Sequence, residues 1–209
     1  MKIYINCILI CFFSCIKLHA QEVKLQNGDI LFREKVSEKL SEAIDNVTQT
    51  DSNTHFSHIG MVEIKDGKPY VLHAAPENGS CIVSLEDFIS PDKESRKVVA
   101  YRLKNEFKKA IPLAIRNANK MLGKPYNSSY VMNDSSYYCS DFIYRAFAND
   151  SIFKLNPMTF KDPKTHEFSS AWIDFYKNLH MKIPEGKLGC NPNGMAASNK
   201  LIRLGVISK

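Results

Sequence analysis

The chain has 209 residues, with 28 Lys and Arg against 22 Asp and Glu and a formal net charge of +6. The basic residues are dispersed along the chain, and this distribution does not predict a nucleic-acid-binding surface. Without its first twenty residues the chain is still long enough for one domain with a buried core.

The beginning of the chain predicts a secretory signal peptide. Lys2 is followed by an almost uninterrupted apolar run over residues 3–16, and Ala20 supplies a small residue at a plausible cleavage site. The run is short for a membrane span. We therefore expect a signal peptide at 1–20, a single domain at 21–209 and export to the periplasm or cell envelope. An uncleaved anchor and lipidation at Cys15 remain open, and membrane attachment is expected only with lipidation.

Three of the six cysteines lie outside the predicted signal peptide, namely Cys81, Cys139 and Cys190. An odd number of cysteines in an exported protein indicates at least one free thiol. Cys81 and Cys190 could pair and leave Cys139 single, but the sequence does not establish that bond.

The first half of the predicted domain is rich in strand patterns. A turn at Asn27-Gly28-Asp29 precedes a short buried strand, and apolar residues at helical spacing predict a helix over 34–48. Asp66-Gly67 is a strong hairpin signal between two of the strands. Ser84 is placed to cap a short helix over 85–89. The strands are predicted at residues 30–32, 58–64, 70–74, 81–84 and 98–103.

The second half is predicted to be mainly helical. One helix is expected over 109–122, with Pro112 in its first turn and Gly123 at its end. Another is expected over 138–147. The tail from Ser151 is predicted to wrap around the domain and to contain one helix near 170–179. The whole pattern predicts an α+β fold, a small antiparallel sheet packed by helices.

Cys139 is the candidate nucleophile. It lies in the first turn of the predicted helix over 138–147, where free N–H groups and the helix dipole stabilise a thiolate. A thiolate is the form of cysteine that attacks carbonyl carbon. The alternative is a buried structural cysteine.

His58 and His73 are the candidate partners of this thiol. His58 begins a predicted strand, and Gly60 shortly after it would let another backbone approach closely. Histidine is a base with a pKa near neutrality. The hairpin brings the strand of His73 beside that of His58, so that His73 can orient the ring of the base. A structural role at a strand end is the alternative for each histidine.

The order of four motifs resembles that of NlpC-type papain-like amidases after circular permutation. The motifs are Gly28-Asp29-Ile30, Ser57-His58-Ile59-Gly60, Leu72-His73-Ala74 and Tyr138-Cys139-Ser140-Asp141. Two further segments are similar to the YiiX/YebB-like branch, namely Gly123-Lys124-Pro125-Tyr126 and Ile183-Pro184-Glu185-Gly186. The resemblance covers roughly residues 27–200 and implies a permuted papain-like fold. In one departure, members of this branch often carry Glu where this chain has His73.

The resemblance implies a cysteine amidase or peptidase with a catalytic set of Cys139, His58 and His73. We expect a thioacyl-enzyme, with the oxyanion held by the backbone N–H of Cys139 and a second donor. Tyr126 and Tyr138 are candidates for that donor or for the pocket wall. The expected substrate is a peptide or acyl-amide, with amide and ester bonds both open and a peptidoglycan fragment as the candidate. No cofactor and no metal are implied.

Three other functions remain open at this point. The fold could serve as a non-catalytic binding module of the cell envelope. The same thiol chemistry could act on lipid or acyl substrates. A metallo-hydrolase could use donors from His55, His58, His73 and Cys139, although the spacing of His55 and His58 suits a ligand pair only on a helix.

Overall fold

The structure is a computed structural model that describes residues 23–34, 39–50 and 54–208. The predicted signal peptide at 1–20, and Cys15 within it, lie outside the described residues. Within those ranges, no helix combines the length and the apolar character needed to cross a membrane.

A six-stranded antiparallel sheet forms the centre of the domain. Its strands are β1 (Ile30–Glu34), β2 (Phe56–Lys65), β3 (Lys68–Ala75), β4 (Gly79–Ser84), β5 (Val98–Leu103) and β8 (Leu201–Ser208). Their spatial order in the sheet is β4-β3-β2-β1-β5-β8. A separate two-residue pair joins β6 (Asn156–Pro157) to β7 (Leu188–Gly189). The predicted α+β fold with a small antiparallel sheet is confirmed.

Helices cover the sheet, and two of them lie in the tail of the chain. They are α1 (Lys39–Thr48), α2 (Leu85–Ile89), α3 (Ile111–Lys120), α4 (Cys139–Ala146), α5 (Ser170–Asn178) and α6 (Pro192–Ala196). The Ser84 side chain accepts from the Asp87 N–H and caps α2, as predicted. The helix predicted from residue 109 begins as a 3₁₀ turn at Asn105–Ala110, which leads into α3. The helix predicted over 34–48 starts too early, because Glu34 still belongs to β1.

The sheet is buried on both faces because its strands alternate between two apolar clusters. Toward α3 and α4, the side chains of Ile59 and Met61 pack with Phe142 of α4. On the opposite face, Val62 and Val71 pack with Phe88 of α2. Successive strand residues point to opposite faces, so each strand contributes to both clusters.

The hairpin between β2 and β3 has the predicted turn. Asp66 and Gly67 both have positive φ values, 49° and 74°. This is the backbone that a two-residue type I′ turn requires. The turn fixes the pairing of β2 with β3, and therefore the side of the sheet on which His58 and His73 meet.

The tail was predicted only in part. Its helix near 170–179 is confirmed as α5, but the prediction missed α6 and the edge strand β8. β8 pairs with β5 through a register that shifts twice, and Gly205 within it has a φ of 146°. An irregular strand lacks the clean alternation of apolar residues by which strands are predicted.

Candidate active site

The amino end of α4 lies where β2 and β3 separate. The pairing of these strands runs from Lys65–Lys68 only as far as Met61–Leu72. Beyond that point β2 pairs with β1 and β3 pairs with β4. α4 packs against both β2 and β3. The first residue of the helix, Cys139, lies beside β2 at the residue after His58.

Cys139 is buried, with 5% of its surface exposed, and its sulfur faces backbone N–H groups. These belong to Ser140, in the first turn of α4, and to Ile59, the residue after His58. Burial raises the pKa of the thiol to about 11, although these N–H groups and the nearby Arg33 act in the opposite direction. The thiolate expected at the helix end is therefore not the resting form. Burial destabilises the charged thiolate more than the N–H groups at the helix end stabilise it. At neutral pH the thiol needs a base.

His58 and His73 are in direct contact. His58 Nε2 lies 2.8 Å from His73 Nδ1, and the two rings are perpendicular. Both side chains are buried, with exposures of 7% and 5%. Burial lowers the pKa of both imidazoles, and the Arg33 cation adds to this effect; the pKa of His73 falls to about 4. Both rings are neutral at neutral pH, which is the state a general base requires.

Phe88 and Gly60 fix the position of the two rings. The ring centroids of His58 and His73 lie 5.6 Å and 5.4 Å from that of Phe88. A Cβ at position 60 would overlap the side chains of Val71 and Phe88. Gly60 was expected to let another backbone approach closely. Instead, the groups that pack closely against it are the side chains of Val71 and Phe88. Without this glycine, Phe88 could not lie against both imidazoles.

Tyr126 and Tyr138 both line a cavity of about 70 Å³ that also reaches Cys139. The backbone N–H of Cys139 faces the Tyr126 hydroxyl. The Tyr138 hydroxyl is engaged on another side, where it accepts from the backbone N–H of Cys190 at 3.3 Å. Of the two tyrosines, Tyr126 has its hydroxyl beside the N–H group expected to bind an oxyanion.

A second, larger cavity adjoins the first. It has a volume of about 460 Å³ and shares four wall residues with the smaller cavity, Thr48, Met158, Cys190 and Asn191. Phe153, Phe160 and Met195 give it apolar walls, and its described lining includes two lysines and no acidic residue. The cavity beside Cys139 therefore adjoins a volume typical of small-ligand sites.

Comparison with known proteins identifies the family of the chain. The family model described as "Permuted papain-like amidase enzyme, YaeF/YiiX, C92 family" matches residues 24–205. The chain belongs to this family. The resemblance inferred from the four motifs is thus confirmed, and membership of this amidase family supports cysteine hydrolase activity in general.

Two relatives illustrate the membership. The uncharacterised protein YiiX of Escherichia coli K12 is 31% identical over 129 residues, which cover 59% of this chain and 58% of YiiX. The alignment thus spans little more than half of that relative. A crystal structure described as metalloprotein YiiX from E. coli O157:H7 has a TM-score of 0.69 at 22% identity. The structural alignment covers 86% of this chain and 96% of that one, and the two chains share the fold.

Within this amidase fold, the predicted residues come together to different degrees. His58 and His73 are in contact. The Cys139 sulfur lies near the backbone N–H of Ile59, the residue after His58. Among these described residues, the sulfur makes no hydrogen bond to the His58 ring. His55 lies apart from them and pairs with Asp45, at 2.7 Å. Among the described residues, no group of three or more His, Cys, Asp or Glu side chains is arranged to hold a metal ion.

Sequence analysis missed two residues at this site. Arg33 stands opposite His58 in the β1–β2 pairing, and its guanidinium donates to the Phe88 carbonyl at 2.7 Å. Cys81 stands opposite His73 in the β3–β4 pairing. The hairpin turn at Asn78-Gly79 could have placed Cys81 beside His73. No local signal pairs β1 with β2, because a helix separates them.

The three cysteines of the described residues are free thiols. The Cys81–Cys190 disulfide left open by the sequence is therefore not formed. Cys81 lies instead against His73, and Cys190 lies near the Tyr138 hydroxyl.

Proposed function

We propose that this protein is a cysteine hydrolase that cleaves amide or ester bonds through a thioacyl-enzyme. Cys139 is the nucleophile, His58 the general base and His73 the residue that orients His58. The contact between His58 Nε2 and His73 Nδ1 carries the proposal. It holds the base by one ring nitrogen and leaves the other, Nδ1, for the thiol. This is the arrangement of nucleophile, base and orienting group found in thiol and serine hydrolases.

The reaction begins with neutral groups. His58 Nδ1 takes the proton of Cys139 as the sulfur attacks the carbonyl carbon, and the resulting imidazolium then protonates the leaving amine or alcohol. Water, deprotonated by His58, hydrolyses the thioacyl-enzyme and restores the thiol. Hydrogen bonds between catalytic groups often form fully only with substrate bound, which accommodates the open Cys139–His58 contact.

The oxyanion site is proposed to combine the backbone N–H of Cys139 with the Tyr126 hydroxyl. These groups face each other beside the sulfur, within the cavity of about 70 Å³. A substrate oxygen that enters between them would receive two hydrogen bonds as its charge develops. Tyr138 is assigned to the cavity wall, because its hydroxyl lies against the Cys190 N–H and the Tyr126 hydroxyl lies against that of Cys139.

For the substrate we propose a peptide amide bond, with a peptidoglycan fragment as the candidate. Membership of an amidase family supports the bond type. The larger cavity supports a substrate with an apolar portion, since its walls include Phe153, Phe160 and Met195. The signal-peptide pattern at residues 1–20 supports a role outside the cytoplasm.

The solved relative is described as a metalloprotein. Among the described residues of this chain, histidines, cysteines and carboxylates form no cluster of three that could hold a metal ion. His58 and His73 are hydrogen-bonded to each other. We therefore assign no step to a metal.

Trapping with iodoacetamide at neutral pH, followed by peptide mass spectrometry, tests the nucleophile–base pair. We expect Cys139 to react faster than Cys81, the more exposed thiol, because His58 removes its proton during attack. His58→Ala is expected to slow the labelling of Cys139 by at least tenfold, which corresponds to about 1.4 kcal/mol of lost activation. His55→Ala, at a histidine outside the site, is the matched control.

The possible results separate the proposed hydrolase from a binding module. If Cys139 is labelled more slowly than Cys81 in the wild type, or equally fast in His58→Ala, the hydrolase proposal is wrong. A fall in labelling that is equal for His58→Ala and His55→Ala would also contradict it, since the effect would then not be specific to the base.

A further inference from the structure

Cys81 extends the contact between the histidines into a chain of three side chains. Its sulfur lies 3.4 Å from His73 Nε2, and His73 Nδ1 lies 2.8 Å from His58 Nε2. Cys81 and His73 are direct partners in the β3–β4 pairing, so the backbone fixes this contact. Every ring nitrogen of His73 thus has a partner, and the partners determine which nitrogen carries the proton.

Two arrangements of the protons are compatible with these distances. In the first, His58 Nε2–H donates to His73 Nδ1, and His73 Nε2–H donates to the Cys81 sulfur. In the second, the Cys81 S–H donates to His73 Nε2, and His73 Nδ1–H donates to His58 Nε2. A neutral imidazole carries one proton, so the two arrangements leave His58 Nδ1 bare in the first and protonated in the second.

Only the first arrangement lets His58 act as a base through Nδ1. It also suits the state after proton transfer from Cys139. The imidazolium then formed on His58 must donate its Nε2–H to an unprotonated His73 Nδ1. The second arrangement would place two N–H groups against each other at that moment. The proton on His73 Nε2 then needs an acceptor, and the Cys81 sulfur is the acceptor beside it.

We propose that Cys81 is a positioning residue that accepts the His73 Nε2–H and thereby holds both histidines in the arrangement in which His58 is a base. This inference rests on the proposed roles of His58 and Cys139. No proton leaves Cys81 in the cycle: the proton of Cys139 moves to His58 Nδ1, and His73 stays neutral.

The surroundings of Cys81 keep its thiol neutral, as this role requires. Arg33, on β1, is the cation that acts on both histidines and on Cys139. Glu77 acts on Cys81, and together with burial, the larger cause, it raises the pKa of that thiol. Cys81 therefore remains a neutral thiol at neutral pH, with a sulfur that can accept while its own proton points elsewhere.

The nitrogen NMR shifts of the histidine rings test the proton arrangement directly, without any substrate. With ¹⁵N-labelled wild-type protein at neutral pH, we expect the Nε2–H tautomer for both His58 and His73, assigned with His58→Ala and His73→Gln. A proton on His73 Nδ1 would overturn the proposal, because Cys81 would then be a donor.

The pH dependence of Cys139 trapping tests the consequence for reactivity. Cys81→Val removes the acceptor and leaves an apolar side chain in its place, so we expect about a tenfold slower reaction at neutral pH, the cost of one buried hydrogen bond. Cys81→Asp places a carboxylate at the same position. An anion there stabilises the imidazolium of His58, so the low-pH limb of the profile is expected to move to higher pH.

The His58→Ala background distinguishes positioning from a general loss of structure. There, Cys81→Val is expected to leave the trapping rate unchanged, because the chain from Cys81 acts through His58. If Cys81→Val slows trapping equally in both backgrounds, or if Cys81→Asp leaves the profile unmoved, the role of Cys81 is refuted while the hydrolase proposal stands. If wild-type Cys139 is not trapped faster than Cys81, it is the hydrolase proposal that fails.

Discussion

At the scale of residues, burial controls the chemistry of the site more strongly than the helix end does. The sequence identified Cys139, His58 and His73 because each residue type suits its role and each lies at the end of a predicted element. It predicted a thiolate from the helix position alone. The depth of burial, which raises the pKa of the thiol and lowers that of both imidazoles, depends on tertiary packing that no local pattern contains. The contact of Phe88 with both imidazole rings is one example.

The lowered pKa of His73 predicts an acid-sensitive fold. Burial, with the Arg33 cation, places this pKa at about 4 in the folded chain, below the ordinary value of 6.5. Between these values the unfolded chain binds more protons, so the free energy of unfolding falls as the pH falls. From pH 7.5 to pH 5 we expect His73 to account for a loss of about 2 kcal/mol, and His58 acts in the same direction.

Urea unfolding at the two pH values measures this loss. His73→Gln removes the titrating group and is expected to reduce the difference between pH 7.5 and pH 5 by most of that amount. His166→Asn, at an exposed turn, is the matched loss of one imidazole. A difference that is the same in the parent and in His73→Gln would show that His73 is not protonated on unfolding in this range.

At the scale of elements, the hairpin was predictable and the opening between its strands was not. Asp66-Gly67 specifies the turn by its backbone preference alone, and the alternation of apolar residues specifies both strands. The end of the β2–β3 pairing at Met61–Leu72 depends on which neighbour each strand chooses next, β1 or β4. Such choices rest on contacts distant in sequence.

Ser80 fixes the segment that leads to Tyr126 against β4. Its buried hydroxyl donates to the Met121 carbonyl at 2.6 Å and accepts from the Lys124 N–H at 2.9 Å. Ser80→Ala leaves both backbone groups without this partner, and we expect it to lower the free energy of unfolding by roughly 1–3 kcal/mol.

The control for Ser80→Ala is Ser135→Ala, since the Ser135 hydroxyl is exposed and bonds only within its own loop, to Asn133. We expect that change to stay within about 0.5 kcal/mol. Urea unfolding compares the two variants. Equal effects would mean that Ser80 does not anchor the segment before Tyr126.

At the scale of the whole molecule, two acidic residues flank β1 in contrasting surroundings. Asp29, immediately before β1, is fully buried and accepts from both Arg102 Nε and Arg102 Nη2 at 2.7 Å, which links the start of β1 to β5. Glu34, at the other end of β1, forms a partly exposed ion pair with Lys97. The motif Gly28-Asp29-Ile30 was predicted as a family feature and a turn. The ion pair of Asp29 with Arg102 could be predicted only from the order of the strands in the sheet.

The two ion pairs are expected to differ in their contribution to stability. Asp29→Asn removes the buried charge that pairs with the Arg102 guanidinium, and we expect a loss of about 3 kcal/mol in the free energy of unfolding. Glu34→Gln is expected to cost less than about 1 kcal/mol, because water and salt screen an exposed pair. Thermal or urea unfolding of both variants measures the contrast, and a smaller loss for Asp29→Asn than for Glu34→Gln would contradict it.

The order of the site residues along the chain has a consequence for its synthesis. Both imidazoles and the turn that aligns their strands leave the ribosome well before the thiol, since His73 precedes Cys139 by 66 residues. A nascent chain that stops before α4 carries both proposed proton acceptors and lacks the nucleophile. The proposed reactivity therefore cannot arise until synthesis has passed residue 139.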